Sequence, residues 1–215
     1  MLSNYKTLHF IWIGNQQIPN QYIENYKRSV FLNYDYVHKL WHNVLTQELL
    51  QQYDLLDYYA TLSFICKCNL LKYLILHKEG GAYSDLDIKW NRPVSKILND
   101  YPPIIDILLT VQTTGAMPIN GVFVPIVDDP FIVAKPNIMG QCITFCRNRT
   151  TLMNDGDLQQ EKGISQTHIL EPMGPFGLTE WIHTTKQKIG FFPQKDLLDH
   201  VGWYGVHTQK MNWKI

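Results

Sequence analysis

The stretch Gly80-Gly81-Ala82-Tyr83-Ser84-Asp85-Leu86-Asp87 is the most informative part of the chain, because it joins a glycine break to two carboxylates two residues apart. In an extended segment, residues i and i+2 project to the same face. The spacing therefore predicts that Leu86 points into the core while Asp85 and Asp87 face one opening together. Two carboxylates about 5 Å apart repel by roughly 3 kcal/mol at an effective dielectric of about 20, so the pair needs a counter-charge.

A divalent cation is the favoured counter-charge at neutral pH, because hard cations prefer carboxylate oxygens. A shared proton is the alternative. A cation held by only two side chains keeps open coordination positions, which Mg²⁺ or Mn²⁺ can fill with water and substrate phosphates. On spacing alone, a solvated strand end with two surface aspartates is the plainer interpretation. The neighbouring sequence is therefore needed to decide between a metal site and a solvated strand end.

The segment before the glycines predicts a buried helix. Residues 68–77 are apolar on nearly every side, and Gly80-Gly81 supplies a glycine helix stop. A buried helix that leads into a short strand ending in two acids is typical of the edge of an α/β sheet. Ligands of such sheets bind beyond the carboxyl ends of the strands.

The remaining sequence alternates between strand and helix patterns. Further strands are predicted at residues 8–13, 36–41, 104–111, 121–127 and 204–207. Further helices are predicted at residues 20–32, 44–59, 138–147 and 178–188. Asp128-Asp129-Pro130 and Asp155-Gly156-Asp157 have the composition of turns. No repeat or linker composition divides the chain, so residues 1–215 are predicted to form one domain.

Composition narrows the class of protein. Hydrophobic residues make up 45% of the chain, which is enough for a substantial core. The 19 basic and 19 acidic residues balance, which argues against a general nucleic-acid or membrane-surface binder. No stretch has transmembrane length without charge, and the N-terminus lacks the pattern of a signal peptide. The sequence therefore predicts a soluble, cytoplasmic protein.

The four cysteines give little evidence of a metal centre. They fall as Cys66-x-Cys68 and Cys142-x₃-Cys146, and neither spacing is that of the usual zinc knuckle. Reduced, mostly buried thiols are the favoured interpretation.

Three separated segments carry a resemblance to a known family. They are Leu8-His9-Phe10-Ile11-Trp12-Ile13-Gly14, the block 68–87 and the tail 207–213. In order and spacing they resemble glycosyltransferase family 32, which includes the initiating α-mannosyltransferases, and its relatives the large clostridial glucosylating toxins. That group opens on I-H-x-I-W-x-G, continues with S-D-x-x-R-x-x-x-L and G-G-x-Y-x-D-x-D, and ends near H-x₄-S-W. Gly174-Pro175 is similar to a G-P step that often precedes the last helix.

The resemblance implies a GT-A fold with a mostly parallel central sheet flanked by helices. It also implies metal-dependent transfer of a sugar from a UDP- or GDP-sugar to a glycan or glycoprotein acceptor, with retention at the anomeric carbon and Mn²⁺ or Mg²⁺ as cofactor. A nucleic-acid partner is not expected.

The resemblance also implies roles for individual residues. Asp85 and Asp87 are the implied catalytic pair, with Asp85 facing the ribose and sugar of the donor. The implied donor-binding residues are Trp12, Ile13, Asn69, Lys72, Tyr83 and Asp85. The implied metal ligands are Asp87, His207 and Asn212. Trp12 is alternatively a core aromatic residue, and His207 a packing histidine.

The chain departs from the family pattern at three of the positions that the resemblance implies for donor or metal binding. Asn69 stands where the family has Asp, Lys72 where it has Arg, and Asn212 where it has Ser. The choice of donor sugar is therefore open, and a degenerate transferase that only binds nucleotide or glycan is one alternative. A glycoside hydrolase, which uses paired carboxylates across the scissile bond, is another. An inverting transferase would need a base, for which the candidates are Glu171, Asp128 and Asp129.

Overall fold

The computed structural model of the chain describes residues 1–153, 173–193 and 205–207, with side chains described except at 112–115, 150–153 and 205–207. The strands are β1 Thr7–Ile11, β2 Val37–Trp41, β3 Gly81–Ser84, β4 Ile88–Trp90, β5 Ile107–Ile119, β6 Val122–Ala134, β7 Ile189–Pro193 and β8 Gly205–His207. The helices are α1 Asn20–Leu32, α2 Asn43–Gln52, α3 Leu56–Thr61, α4 Phe64–Glu79, α5 Val94–Asn99, α6 Gly140–Met153 and α7 Pro175–Thr184.

The described strands form one large sheet and one small one. The large sheet has the order β2-β1-β3-β6-β5-β7, and the small one pairs β4 with β8. In the large sheet β1 runs parallel to β2 and β3, and β5 runs parallel to β7, whereas β6 is antiparallel to both its neighbours. Three of its five pairings are therefore parallel, and the predicted mostly parallel α/β sheet is confirmed.

Both faces of the large sheet are covered. Along β6, Ile132 and Ala134 belong to the core that also contains α4, α6 and α7, while Phe131 and Val133 belong to a second core with α1 and α5. This alternation follows from the two-residue period of a strand. Because each face is buried, both inward and outward positions of the strands are apolar, which explains the nearly continuous hydrophobic runs in the sequence.

Most of the predicted helices are confirmed. Helix α1 has the predicted bounds, and α4 is the predicted buried helix that ends at the glycines. The predicted helix over 44–59 is instead two helices, α2 and α3, because the chain turns at Asp54, whose φ is +53°. The last predicted helix begins at Pro175, earlier than expected, directly after the Gly-Pro step.

The middle strands differ from the sequence predictions. Residues 107–134 form a long hairpin of two 13-residue strands, whereas the patterns predicted shorter strands. Asp128 and Asp129 lie inside β6, so the predicted turn at this position is wrong. The pairing partner of Leu109 is Ile132 and that of Thr110 is Asp128, so a bulge contains Asp129, Pro130 and Phe131. Proline has no amide to donate to the ladder and is accommodated at such bulges. Asp155-Gly156-Asp157 lies outside the described residues.

The glycine pair allows β3 to approach β1 closely. Gly80 and Gly81 have φ values of +66° and +96°, which side-chain-bearing residues rarely adopt. A Cβ atom at Gly81 would lie 2.5 Å from the carbonyl oxygen of Thr7 on β1. A Cβ atom at Gly80 would lie 2.7 Å from Pro136. The glycines therefore stop α4 and also make room for the strand that carries the acidic pair.

A buried histidine on β1 closes the same junction. The ring of His9 is fully buried, its Nε2 lies 2.9 Å from the carbonyl oxygen of Gly80, and Trp41 donates a 3.2 Å hydrogen bond to its Nδ1. Nδ1 therefore accepts and Nε2 carries the proton of the neutral ring. Burial lowers the pKa of His9 to about 4, which keeps the imidazole neutral.

We expect Gly81→Ala to destabilise the protein by about 3 kcal/mol or more, because the new methyl group meets the Thr7 carbonyl oxygen in a strained backbone conformation. Gly121→Ala is the matched control. Gly121 also has a positive φ, +79°, but a Cβ atom there has no neighbour within 4 Å, so about 1 kcal/mol of backbone strain is expected. Urea unfolding measures the free energy of unfolding of both variants. Equal losses would show that the close contact of Gly81 with β1 adds nothing to the cost of a side chain at this position.

Candidate functional site

The acidic pair lies in a turn at the carboxyl end of β3. The amide of Asp85 donates a 2.8 Å hydrogen bond to the carbonyl oxygen of Pro130, and the amide of Ile88 donates a 3.3 Å bond back to the Asp85 carbonyl. The expected extended conformation of residues 85–87 is therefore wrong, because the second bond folds the chain into a turn before β4 begins. Leu86 is buried as expected, and Asp87 is 9% exposed.

Helix α1 holds this turn through a contact that the sequence analysis missed. The side-chain amide of Asn25 donates a 3.0 Å hydrogen bond to the carbonyl oxygen of Leu86, between the two aspartates. One turn further along the helix, the Arg28 guanidinium donates to the carbonyl oxygen of Trp90. Asn33 then accepts a 2.7 Å bond from the Val94 amide. The sequence signal for this contact is an asparagine on the buried face of an amphipathic helix, because a buried amide needs hydrogen-bond partners.

Tyr83 orients Asp85. Its hydroxyl donates a 2.6 Å hydrogen bond to Oδ1 of Asp85, and the ring is buried at the end of β3. Burial and the neighbouring Asp85 charge together raise the pKa of the Tyr83 hydroxyl well above its usual value. Tyr83 thus stays protonated and remains a donor to the carboxylate.

Lys72 lies between two carboxylates. Its ammonium nitrogen is 3.4 Å from Oδ1 of Asp85 and 3.3 Å from Oδ1 of Asp129, and it is 5.0 Å from the centre of the Tyr83 ring. Burial lowers the pKa of Lys72, but Asp129 and Asp85 outweigh this effect and raise it. Lys72 therefore remains protonated and keeps its positive charge next to Asp85.

Two other residues of α4 share the neighbourhood of Lys72. Asn69, one helical turn earlier, is buried at 3% exposure. Cys68 is partly buried, and burial raises the pKa of its thiol to about 12, so the thiol remains protonated at neutral pH. All four cysteines are free thiols, in agreement with the sequence interpretation.

The residues after β1 reach the same side of the sheet. Trp12 is half-buried, donates from Nε1 to the carbonyl oxygen of Gln16 at 2.8 Å, and packs edge-on against Tyr22 with ring centres 6.1 Å apart. Burial and then the charges of Asp87 and Asp85 raise the pKa of the Tyr22 hydroxyl, and Tyr22 belongs to the same buried cluster as Leu86 of the acidic turn. Tyr22 therefore links Trp12 to the acidic turn. Ile13 is buried.

The predicted tail residues can be placed only in part. Strand β8 pairs with β4 in the small sheet, and the backbone position of His207 is opposite Ile88. The backbone of His207 therefore pairs with the residue that directly follows Asp87. Asn212 and Glu171 lie outside the described residues. Asp128 is half-buried in β6 and accepts a 3.0 Å hydrogen bond from the amide of Asp129.

The donor set fits a hard divalent cation. Asp85 and Asp87 offer carboxylate oxygens in one short turn, and such oxygens are the preferred ligands of Mg²⁺ and Mn²⁺. Among the described side chains, no group of three or more His, Cys, Asp or Glu residues is placed to hold a metal.

Comparison with known proteins agrees with this geometry. Residues 19–103 match the sequence profile of the glycosyltransferase sugar-binding region containing DXD motif, and this range includes α1, α4 and the acidic turn. Over 104 residues the chain is 32% identical to inositol phosphoceramide mannosyltransferase 3 of Schizosaccharomyces pombe, covering 45% of this chain and 28% of the relative. The match thus spans little more than a quarter of that relative's length.

Solved structures identify the fold. The PaToxG glycosyltransferase has a TM-score of 0.57 and 16% identity, over 83% of this chain and 69% of that one. The catalytic domain of alpha-toxin from Clostridium novyi gives a TM-score of 0.43 at 15% identity, over 85% of this chain and 64% of that one, and is too distant to add to the conclusion. The sheet and the acidic turn at its edge therefore define a GT-A fold that carries the DXD sugar-binding region of a glycosyltransferase. The resemblance to glycosyltransferase family 32 is confirmed by the profile and the mannosyltransferase relative.

Within residues 1–153, 173–193 and 205–207, none of the helices combines the length and the apolar character needed to span a bilayer.

We expect Asn25→Leu to lower the free energy of unfolding by about 1–3 kcal/mol, because the variant removes the donor to the buried Leu86 carbonyl. Gln21→Leu is the matched control, since Gln21 is exposed on the same helix and its change should stay within about 0.5 kcal/mol. Urea denaturation of both variants makes the comparison. Similar small changes in both would mean that α1 does not hold the acidic turn.

Proposed function

We propose that residues 1–215 form the catalytic domain of a metal-dependent glycosyltransferase that uses a UDP- or GDP-sugar donor and a glycan or glycoprotein acceptor. The observation that carries the proposal is the Asp85–Asp87 turn at the end of β3, within the segment that matches the DXD sugar-binding region. The name of the fission-yeast relative adds mannose to the donor sugars that should be tested.

The proposed reaction exchanges one bond at the anomeric carbon of the donor sugar. The bond from this carbon to the diphosphate oxygen breaks, and its electron pair leaves with the nucleoside diphosphate. The acceptor oxygen forms the new bond to the same carbon, and the acceptor hydroxyl loses its proton. With retention at the anomeric carbon, which the family resemblance implies, the departing diphosphate oxygen is positioned to take that proton.

The residues divide by role in this proposal. Asp87, His207 and Asn212 hold the divalent cation, and the register that sets His207 opposite Ile88 supports the first two. When bound, the cation would neutralise the negative charge that develops on the diphosphate as the bond breaks. Asp85, held by the Tyr83 hydroxyl, accepts hydrogen bonds from the ribose and sugar hydroxyl groups. Asn69 contributes an amide to the donor sugar.

The base of the nucleotide is proposed to bind at the end of β1. Trp12 is only half-buried and its ring is anchored through Nε1, so one ring face can stack on a base. Ile13, the next residue, is buried in the core that contains α4. Trp12 packs edge-on against Tyr22, which shares a buried cluster with Leu86 of the acidic turn, and this supports a base site on the same side of the sheet as the acidic pair.

A protein that binds nucleotide without transferring sugar is the second candidate. Asn69 and Lys72 favour it, because both replace charged or bidentate residues of the family pattern. An inverting transferase is less well supported, since Asp129, one of the three candidate bases, forms an ion pair with Lys72. A thermal-shift screen of UDP-, GDP- and dTDP-sugars, GDP-mannose included, with and without Mn²⁺ identifies the donor. Turnover assays on the stabilising donor then separate transfer from binding.

We expect Asp87→Asn to abolish nearly all transfer and to weaken Mn²⁺-dependent nucleotide binding while the melting temperature stays close to wild type. The amide keeps the shape of the side chain but removes the charge that attracts the cation. Asp57→Asn, an exposed carboxylate on α3, is the control and should bind and transfer normally. Calorimetric titration with nucleotide and Mn²⁺ gives the affinities. Full activity in the Asp87 variant would remove this residue from the site.

We expect Trp12→Ala to weaken nucleotide binding by about 1–3 kcal/mol, by analogy with stacking of bases on aromatic side chains. Trp12→Phe is the control, because it keeps a ring face and should retain most of the affinity. The same titration measures both variants, alongside urea unfolding. An unchanged dissociation constant together with lost stability would make Trp12 a core residue.

A further inference from the structure

We infer that Lys72 acts through Asp85 and does not touch the donor sugar, and that Asp129 is the positioning residue that holds the Lys72 ammonium group in place. This inference rests on the proposed function for the identity of its ligand. It differs from the role that the family resemblance implies for Lys72, and the resemblance gives no role of this kind to Asp129.

Three protein oxygens surround the ammonium nitrogen of Lys72 within 3.4 Å. The backbone carbonyl of Asp129 lies 3.2 Å from Nζ, its Oδ1 lies 3.3 Å away, and Oδ1 of Asp85 lies 3.4 Å away. An ammonium group has three N–H donors and no more. The Tyr83 ring covers a further side, and the residue as a whole is 5% exposed. A sugar hydroxyl could bind Lys72 only by displacing one of these oxygens.

The substitution of lysine for arginine explains the change of role. A guanidinium group has five N–H donors in a planar fork, so it can bind two carboxylates and still reach a ligand. The ammonium group of Lys72 has three donors and already faces three oxygens of Asp85 and Asp129. The charge of Lys72 therefore remains at the site, while its capacity for a direct contact is lost.

Asp129 is held independently of Lys72. It lies in the bulge of β6, 8% exposed, and its amide donates a 3.0 Å hydrogen bond to the Asp128 side chain. The single hydroxyl proton of the buried Tyr73 is shared between Oδ2 of Asp129, 3.5 Å away, and the carbonyl oxygen of Met173, 3.2 Å away. The bulge thus fixes one carboxylate, and the lysine connects it to the carboxylate of the acidic turn.

Charge balance gives the inference a specific test. Asp85, Asp129 and Lys72 together carry a net charge of −1, because two carboxylates face one ammonium group. Lys72→Met leaves −2 in a buried cluster, which is strongly unfavourable. Combining Lys72→Met with Asp129→Asn restores −1, because the second change removes one carboxylate and keeps an amide of the same shape.

The experiment compares wild type, Lys72→Met and the double variant Lys72→Met/Asp129→Asn. Melting temperature is measured without ligand, and dissociation constants are measured with Mn²⁺ for the nucleoside diphosphate and for its sugar derivative. We expect Lys72→Met to lower the melting temperature by about 10 °C. We expect the double variant to recover most of that loss, because the net charge is restored. We also expect it to bind both ligands within about threefold of wild type, because the Tyr83 hydroxyl still orients Asp85.

Several results would overturn the inference. A double variant that binds the nucleoside diphosphate normally but loses tenfold or more affinity for the sugar nucleotide would place Lys72 on the sugar. If Lys72→Met keeps wild-type stability and affinity, Lys72 does not compensate the charges of Asp85 and Asp129. If the double variant fails to fold, restoring the net charge does not replace Lys72, and the inference is again wrong. If wild type binds no nucleotide, the proposed function fails, but the melting temperatures still decide whether Asp129 and Lys72 form this unit.

Discussion

The close approach of β3 to β1 sets the position of every group at the acidic turn. It exists because Gly81 presents no side chain toward the Thr7 carbonyl oxygen and because Gly80 ends α4 with a positive φ. The same junction is tied by His9, whose neutral ring bonds to Gly80 and Trp41. β3 is only four residues long and lies between β1 and β6 in the sheet, so these two pairings fix where it ends. The acidic turn that follows inherits that position.

Around this junction the site is assembled from elements distant in sequence. Helix α1 fastens the Leu86 carbonyl, the bulge of β6 supplies Asp129 and the acceptor for the Asp85 amide, and α4 supplies Lys72. Each contributes a polar group that satisfies another, which is how charged side chains are tolerated at low exposure. The arrangement gives Asp85 a fixed orientation before any ligand arrives, and preorganised charge of this kind is the usual basis of electrostatic catalysis.

Local sequence patterns predicted the framework well and the polar contacts poorly. The bounds of α1 and the end of α4 follow from periodicity, proline and glycine, which act within a few residues. The conformation of residues 85–87 was mispredicted because a turn and a strand end share the same residue types, and the deciding contacts come from Asn25 and Pro130. The link between Lys72 and Asp129 spans 57 residues and has no periodic signal. The same Asp-Asp-Pro composition suits a turn or a bulge, and only strand pairing distinguishes them.

The pairing of β8 with β4 in the small sheet has an entropic cost, because it closes a long loop of the chain. Ile88 pairs with His207, and 207 − 88 gives a separation of 119 residues. Closing a flexible loop of that length costs about 4 kcal/mol by the logarithmic chain-entropy relation. A ladder of three residue pairs offers little net hydrogen-bond free energy against this cost. Docking of β8 is therefore favoured once the six-stranded sheet has formed, because the folded sheet shortens the effective loop.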